Sequence, residues 1–95
     1  MRPDAQRLLD EALLLTLDEL CRAGTVAPGW VLERVEAGYL QPAAGSGGNW
    51  RFDAFALHRV RRLALLEREF DAVPELAALV ADLEDEIARL HRRLR

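Results

Sequence analysis

The sequence predicts a mainly α fold: two short helices joined by a tight turn, a small β wing, and a long C-terminal helix. Three observations predict it. Thr16-Leu17-Asp18-Glu19 has the form of a capping box, with Gly24 placed to stop the helix it starts and Pro28 placed to begin the next. The Ala-Ala-Gly-Ser-Gly-Gly stretch at 43–48 precedes Trp50-Arg51-Phe52, where aromatic residues alternate around an arginine with the period of a strand. Apolar residues then recur at Leu76, Val80, Leu83, Ile87, Leu90 and Leu94, with spacings of four and three that mark a coiled-coil seam.

The elements follow in order. Residues 1–15 carry mixed charge with Leu8, Leu9, Leu13, Leu14 and Leu15, and read as a helical lead-in. In the first helix, Leu17–Ala23, the Thr16 hydroxyl and the Glu19 carboxylate satisfy amides that have no partner within the helix. Leu17, Leu20 and Cys21 share one face. The second helix opens at Pro28 and ends at Gly38, with Val31, Leu32 and Val35 facing inward. Tyr39-Leu40 before the glycines and Trp50-Arg51-Phe52 after them form the flanks of a wing; a plain interhelix loop is the alternative. Asp53 caps the third helix, Ala54 to Phe70, whose core stripe is Ala56, Val60, Leu63, Leu66 and Phe70. Pro74 opens the last helix, which is long enough for its far end to project and bury its leucines elsewhere. The domain reading is therefore a lead-in at 1–15, a body at 16–72 and a long helix at 73–95.

Composition narrows the function. The chain has 95 residues, 51% hydrophobic and 31% charged, which suits one folded domain. Cys21 is the single cysteine, so neither an intrachain disulfide nor a multi-cysteine metal site is expected. No apolar run is long enough to span a membrane and no secretory signal is expected, so the expectation is a cytoplasmic protein. The net charge is -3, which argues against general nucleic-acid binding. One cysteine, the isolated His58 and His91, and a capping threonine do not assemble a nucleophile, base and orienting group; no enzyme activity, catalytic residue, metal or cofactor is expected.

Charge is ordered along the chain. Residues 49–70 are locally net +2. Arg51, Arg59, Arg61 and Arg62 lie there and are the candidate phosphate contacts, although a solvated helix face is the favoured explanation, since no base-reading set accompanies them. Residues 71–88 hold acids and no base, and residues 89–95 hold arginines and no acid. Acid first and base last complements the helix dipole and allows an Asp85–Arg89 pair. The same order makes Glu75, Asp82, Asp85 and Glu86 a candidate acidic face for a basic protein partner, and both explanations can hold together. Leu83, Ile87, Leu90 and Leu94 are the candidate seam for a homodimer; the lead-in at 4–15 is the other candidate to cover it. Trp50 reads as a staple between wing and helices, and Trp30 as a core or rim residue or a partner anchor.

The ordered set of motifs resembles a known family. Leu17-Asp18-Glu19-Leu20-Cys21, Glu36-Ala37-Gly38-Tyr39-Leu40-Gln41-Pro42, Trp50-Arg51-Phe52-Asp53, Val60-Arg61-Arg62-Leu63 and the run Leu79 to Leu90 resemble the MerR-like winged helix-turn-helix. Within it they resemble the CbpM-type chaperone modulators, over about residues 15–94. The resemblance implies a protein that binds the J-domain of a DnaJ-like co-chaperone and inhibits its activity with Hsp70. The alternative is a compact MerR-like DNA-binding transcriptional regulator. Against that alternative, the second helix reads Leu32-Glu33-Arg34 where DNA-binding members carry arginine followed by aromatics, and Glu33 sets a negative charge toward phosphates. The glycine loop also lacks basic residues, and the turn Ala23-Gly24-Thr25-Val26 departs from the pattern of glycine just before valine.

Overall fold

The computed structural model describes residues 14–94; what the sequence predicts for residues 1–13 lies outside them. The elements are β1 (Leu15–Thr16), α1 (Leu17–Gly24), α2 (Pro28–Glu36), a 3-10 turn (Gly47–Asn49), β2 (Arg51–Phe52), α3 (Ala54–Glu69) and α4 (Pro74–Arg93). The chain divides into two compact units, one up to Arg61 and one from Arg62 onward.

In the first unit, α1 starts on the capping box the sequence predicts. The Glu19 amide donates to the Thr16 hydroxyl at 3.2 Å, and the Thr16 amide donates to the Glu19 carboxylate at 2.8 Å. These bonds hold the Glu19 carboxyl below its ordinary pKa, first through the Thr16 backbone and then through its hydroxyl. The helix runs one residue further than expected. Thr25, with φ 57°, takes the left-handed position at its end, and the Val26 amide closes on the Cys21 carbonyl.

Gly24 lies inside α1, where a Cβ would sit 2.6 Å from Val60 Cγ1, so the position takes no larger residue without a shift. That close approach seats α3 against α1.

In α2, Pro28 occupies the first turn, Val31 is fully buried and Val35 half-buried. Leu32, expected inward, is exposed. Arg34 takes the buried place instead, with 7% of its surface accessible. Its guanidinium lies 4.1 Å from the centre of the Trp30 ring and donates to the Trp30 carbonyl at 3.0 Å. Glu33 lies 3.7 Å from it at the rim. A stem laid along an aromatic face, with the head hydrogen-bonded, lets a charged residue do the work of a core one.

The small sheet differs from the expected wing. β2 pairs antiparallel with β1, Leu15 opposite Phe52 and Thr16 opposite Arg51. Leu15, expected as the end of a helical lead-in, is therefore strand. The wing closes only through the bridge between Ala44 and Arg51 and hydrogen bonds of Ala43 and Ala44 to the Arg51 carbonyl. Tyr39 and Leu40 take no part in it. Both of their amides donate to the Arg34 carbonyl and finish α2, so they cannot also supply a ladder. The loop turns on Gly45, with φ 84°, where a Cβ would sit 2.1 Å from the Asn49 carbonyl oxygen.

The core of this unit is Leu20, Cys21, Val31, Leu40, Phe52, Ala56 and Val60. Trp50 is half-buried against it and meets Phe52 edge to face at 6.5 Å, as its expected stapling role requires.

Asp53 caps α3 as expected, accepting from the Ala56 amide at 2.8 Å. Leu63 and Leu66 are buried in the second unit, but Phe70 is not: it is 70% exposed. The helix ends at Glu69, Asp71 turns left-handed at φ 53°, and Phe70 leaves the helical stripe. In α4 the buried residues are Ala77, Ala78 and Ala81. Leu76, Leu83, Ile87, Leu90 and Leu94 are exposed and Val80 is half-buried, so the apolar stripe read from the sequence is not the face on which the chain folds.

Candidate functional site

α4 is the exposed feature that stands out. Pro74 opens it, Glu75 lies in its first turn, and His91, Arg92 and Arg93 lie in its last, which matches the helix dipole at both ends. Twenty residues of helix extend about 30 Å. Its seam residues Leu83, Ile87, Leu90 and Leu94 are between 44% and 84% exposed. Leu79, which the seam spacing does not include, is 54% exposed as well. Together they form an exposed apolar stripe along one side of the helix.

The acidic candidates lie beside it. At 100° per residue, Glu75, Asp82 and Glu86 fall in one stripe flanking the leucines, on the side away from Ala77 and Ala81. All three are exposed, whereas Asp85 lies elsewhere on the helix and is half-buried. Arg89 donates from Nε to Glu86 at 3.2 Å, where the sequence predicts Asp85 as its acceptor. Glu84, not among the candidates, receives both Arg62 nitrogens, with Nε at 2.7 Å. That bidentate pair ties α3 to α4 within the second unit and raises the Arg62 guanidinium pKa.

The four candidate phosphate contacts are spread over different tasks. Arg59 donates to the Tyr39 carbonyl at 2.7 Å, and Arg61 to the Ala23 carbonyl at 3.2 Å near the end of α1. Arg62 holds Glu84. Arg51 is exposed and donates to the Trp50 carbonyl at 3.1 Å. Carbonyls left over at helix ends and turns are what a forked guanidinium satisfies best, and nothing in the local sequence marks which carbonyl it reaches.

In the first unit a shallow groove of about 350 Å³ is lined by Asp18, Cys21, Arg22, Val26 and Pro28. Cys21 is 7% exposed, and its burial raises the thiol pKa, with Asp18 adding to the effect. His58 and His91 are exposed. Among the described residues no group of three or more His, Cys, Asp or Glu side chains could hold a metal ion, and no helix is long and apolar enough to cross a membrane.

Comparison with known proteins identifies the family. Residues 15–95 match the MerR HTH family regulatory proteins. The chaperone modulatory protein CbpM of Pseudomonas entomophila is 31% identical over 84 residues, covering 86% of this chain and 83% of its own. CbpM of Coxiella burnetii is 30% identical over 88 residues, covering 93% of this chain and 83% of its own. That of Pseudomonas putida is 32% identical over 84 residues. By the family match over residues 15–95 and these relatives, the chain belongs to the family of CbpM-type chaperone modulators, built on a MerR-like helix-turn-helix.

Proposed function

We propose that this protein acts without chemistry of its own, binding the J-domain of a DnaJ-like co-chaperone and inhibiting the co-chaperone's work with Hsp70. The observation that carries the proposal is the exposed face of α4, where leucines run beside Glu75, Asp82 and Glu86 in a member of the chaperone-modulator family. An apolar stripe with an acidic border suits a partner helix that is amphipathic and basic: the leucines supply contact area, and the carboxylates supply encounter rate and register. Residues 16–72 then serve as a body that presents the helix at 73–95. The proposal places the protein in the cytoplasm, where its partner acts, and makes it a homodimer through Leu83, Ile87, Leu90 and Leu94, since so small a chain leaves those leucines uncovered.

Titration calorimetry with the organism's own J-domain tests this. Binding at micromolar concentration or tighter is expected. Reversing Glu75, Asp82 and Glu86 to lysine is expected to weaken it at least ~10-fold and to flatten its salt dependence. Absence of binding overturns the proposal. The match to regulatory proteins favours one second reading, DNA binding. A mobility-shift assay on genomic fragments at two salt concentrations distinguishes it, because specific, salt-sensitive retention is the signature of phosphate contact. With Glu33 exposed on α2, and Arg59, Arg61 and Arg62 hydrogen-bonded within the chain, no such retention is expected.

A further inference from the structure

We infer that Phe70 anchors the partner's basic amphipathic helix, at an apolar corner rimmed by acids where α3 turns into α4. The inference rests on the reading above of a J-domain partner and specifies where on this chain that partner docks.

The backbone builds the corner. α3 ends at Glu69, and the Phe70 and Ala72 amides both donate to the Leu66 carbonyl, at 3.2 and 3.4 Å. Asp71, between them, turns left-handed at φ 53°, a conformation that aspartate tolerates better than most residues. The hydrogen bonds of the turn thus close α3, and the Phe70 ring stands outside the stripe that Leu63 and Leu66 bury.

Apolar residues recur at every third position from there. Phe70, Val73, Leu76 and Leu79 are each between 50% and 70% exposed. Three residues of chain reach at most about 11 Å, so Phe70 lies within that distance of Val73. Val73 caps α4, and Leu76 and Leu79 lie on its first two turns. α4 folds on Ala77, Ala78 and Ala81, so none of the four exposed residues belongs to the core of this unit.

Charge at the corner is one-sided. Residues 67–75 hold Glu67, Glu69, Asp71 and Glu75 against Arg68 alone, a net charge of -3. Arg68 lies 3.4 Å from Glu69, and Asp71 and Glu75 are exposed beside the apolar residues. That sign selects the occupant. Two such corners facing each other would set acid against acid, and the phosphates of a nucleic acid or an anionic lipid meet the same repulsion. A helix with one apolar face and basic residues along its edge meets both parts of the corner. Its apolar side covers Phe70, Val73, Leu76 and Leu79, and its basic edge faces Asp71 and Glu75.

An apolar centre inside a charged rim is the anatomy of a protein–protein hot spot. Phe70 is the largest side chain of the four and turns about only two side-chain bonds, so it offers much contact area for little freedom lost on binding.

Calorimetry of the full chain with the organism's own DnaJ-like co-chaperone locates the anchor. Phe70→Ala is expected to weaken binding at least ~10-fold, and Phe70→Tyr, which keeps the ring, to stay within about 3-fold of the parent. Phe55, 60% exposed in the first turn of α3, is the control: Phe55→Ala is expected to stay within about 2-fold. Asp71→Asn keeps the left-handed turn and removes one rim charge. It is expected to weaken binding about 3-fold at ~50 mM salt and to leave it unchanged at ~500 mM. A smaller loss in Phe70→Ala, an equal loss in Phe55→Ala, or a loss in Asp71→Asn that salt does not remove overturns the docking corner while leaving the J-domain partner in place. Absence of binding by the parent chain overturns the partner and the corner together.

Discussion

Phe52 and Phe70 are the same residue in opposite circumstances, and truncating each to alanine measures the fold. Phe52 is fully buried, forms the inner half of the pair with Leu15, and meets Trp50 edge to face at 6.5 Å. Removing a buried phenylalanine costs about 3–5 kcal/mol through lost transfer energy and the cavity left behind. The ring pair accounts for roughly 0.5–1.5 kcal/mol of such a loss. Phe70 keeps 70% of its surface in water. Full burial of a phenylalanine is worth about 1.5–3 kcal/mol, so the covered part accounts for about 0.5–1 kcal/mol.

The expected difference between Phe52→Ala and Phe70→Ala is therefore about 3 kcal/mol. A domain of this size has only about 5–15 kcal/mol of stability, so the first variant loses a large part of it. Urea titration followed by far-ultraviolet circular dichroism reads both variants. With a slope of roughly 1–3 kcal/mol per molar urea, the midpoint for Phe52→Ala falls by more than about 1 M, and that for Phe70→Ala by a few tenths. Equal losses would refute the reasoning, because they would place Phe70 in the core the sequence expected for it.

Four further outcomes follow from the same geometry. Gly45→Ala is expected to destabilise by at least about 1–2 kcal/mol, given its left-handed backbone and the nearby Asn49 carbonyl, whereas Gly29→Ala, in open space on α2, is expected to stabilise by about 0.5–1 kcal/mol; urea midpoints moving in the same direction would contradict both. Thr16→Ala is expected to cost about 1 kcal/mol through the lost cap. Because the Glu19 carboxyl has a lowered pKa when folded, its contribution is complete above the unfolded value and is lost as the pH falls through the folded one; stability measured from pH 6 down to pH 2 is thus expected to decline less steeply in Glu19→Gln than in the parent, and equal slopes would remove Glu19 from the cap. The Cys21 thiol, raised in pKa by burial, is expected to react with a thiol reagent at pH 8 far more slowly in buffer than in urea, and equal rates would show it is not enclosed.

Much of this architecture is legible in the sequence because it is encoded locally. The capping box at Thr16 and Glu19, Pro28 at a helix start and the Asp53 cap each act over three or four residues, and each appears where its motif lies. What could not be read depends on distant partners. β2 pairs with β1 across the whole helix-turn-helix, and no spacing rule links Phe52 to Leu15. Arg34 is buried because Trp30 offers it a ring and a carbonyl; an arginine in an amphipathic helix is otherwise a surface residue.

The candidate site shows the same division. The leucine stripe and the acidic border of α4 are one-dimensional patterns and are plain in the sequence. The choice of Arg62 for Glu84, or of Arg61 for the Ala23 carbonyl, needs three dimensions. The stripe also misleads in one respect. Its periodicity marks a buried face, but the face that folds is the alanine one, which carries no conspicuous pattern.

That alanine face has an evolutionary consequence. Ala77, Ala78 and Ala81 give up almost no side-chain freedom on burial and admit no larger residue without displacing their surroundings. Folding thus constrains these three small side chains and the Glu84 that holds Arg62, while the exposed leucines and Glu75, Asp82 and Glu86 can drift without loss of the fold. A lineage can rewrite the exposed surface of this helix, residue by residue, and never pass through an unfolded ancestor.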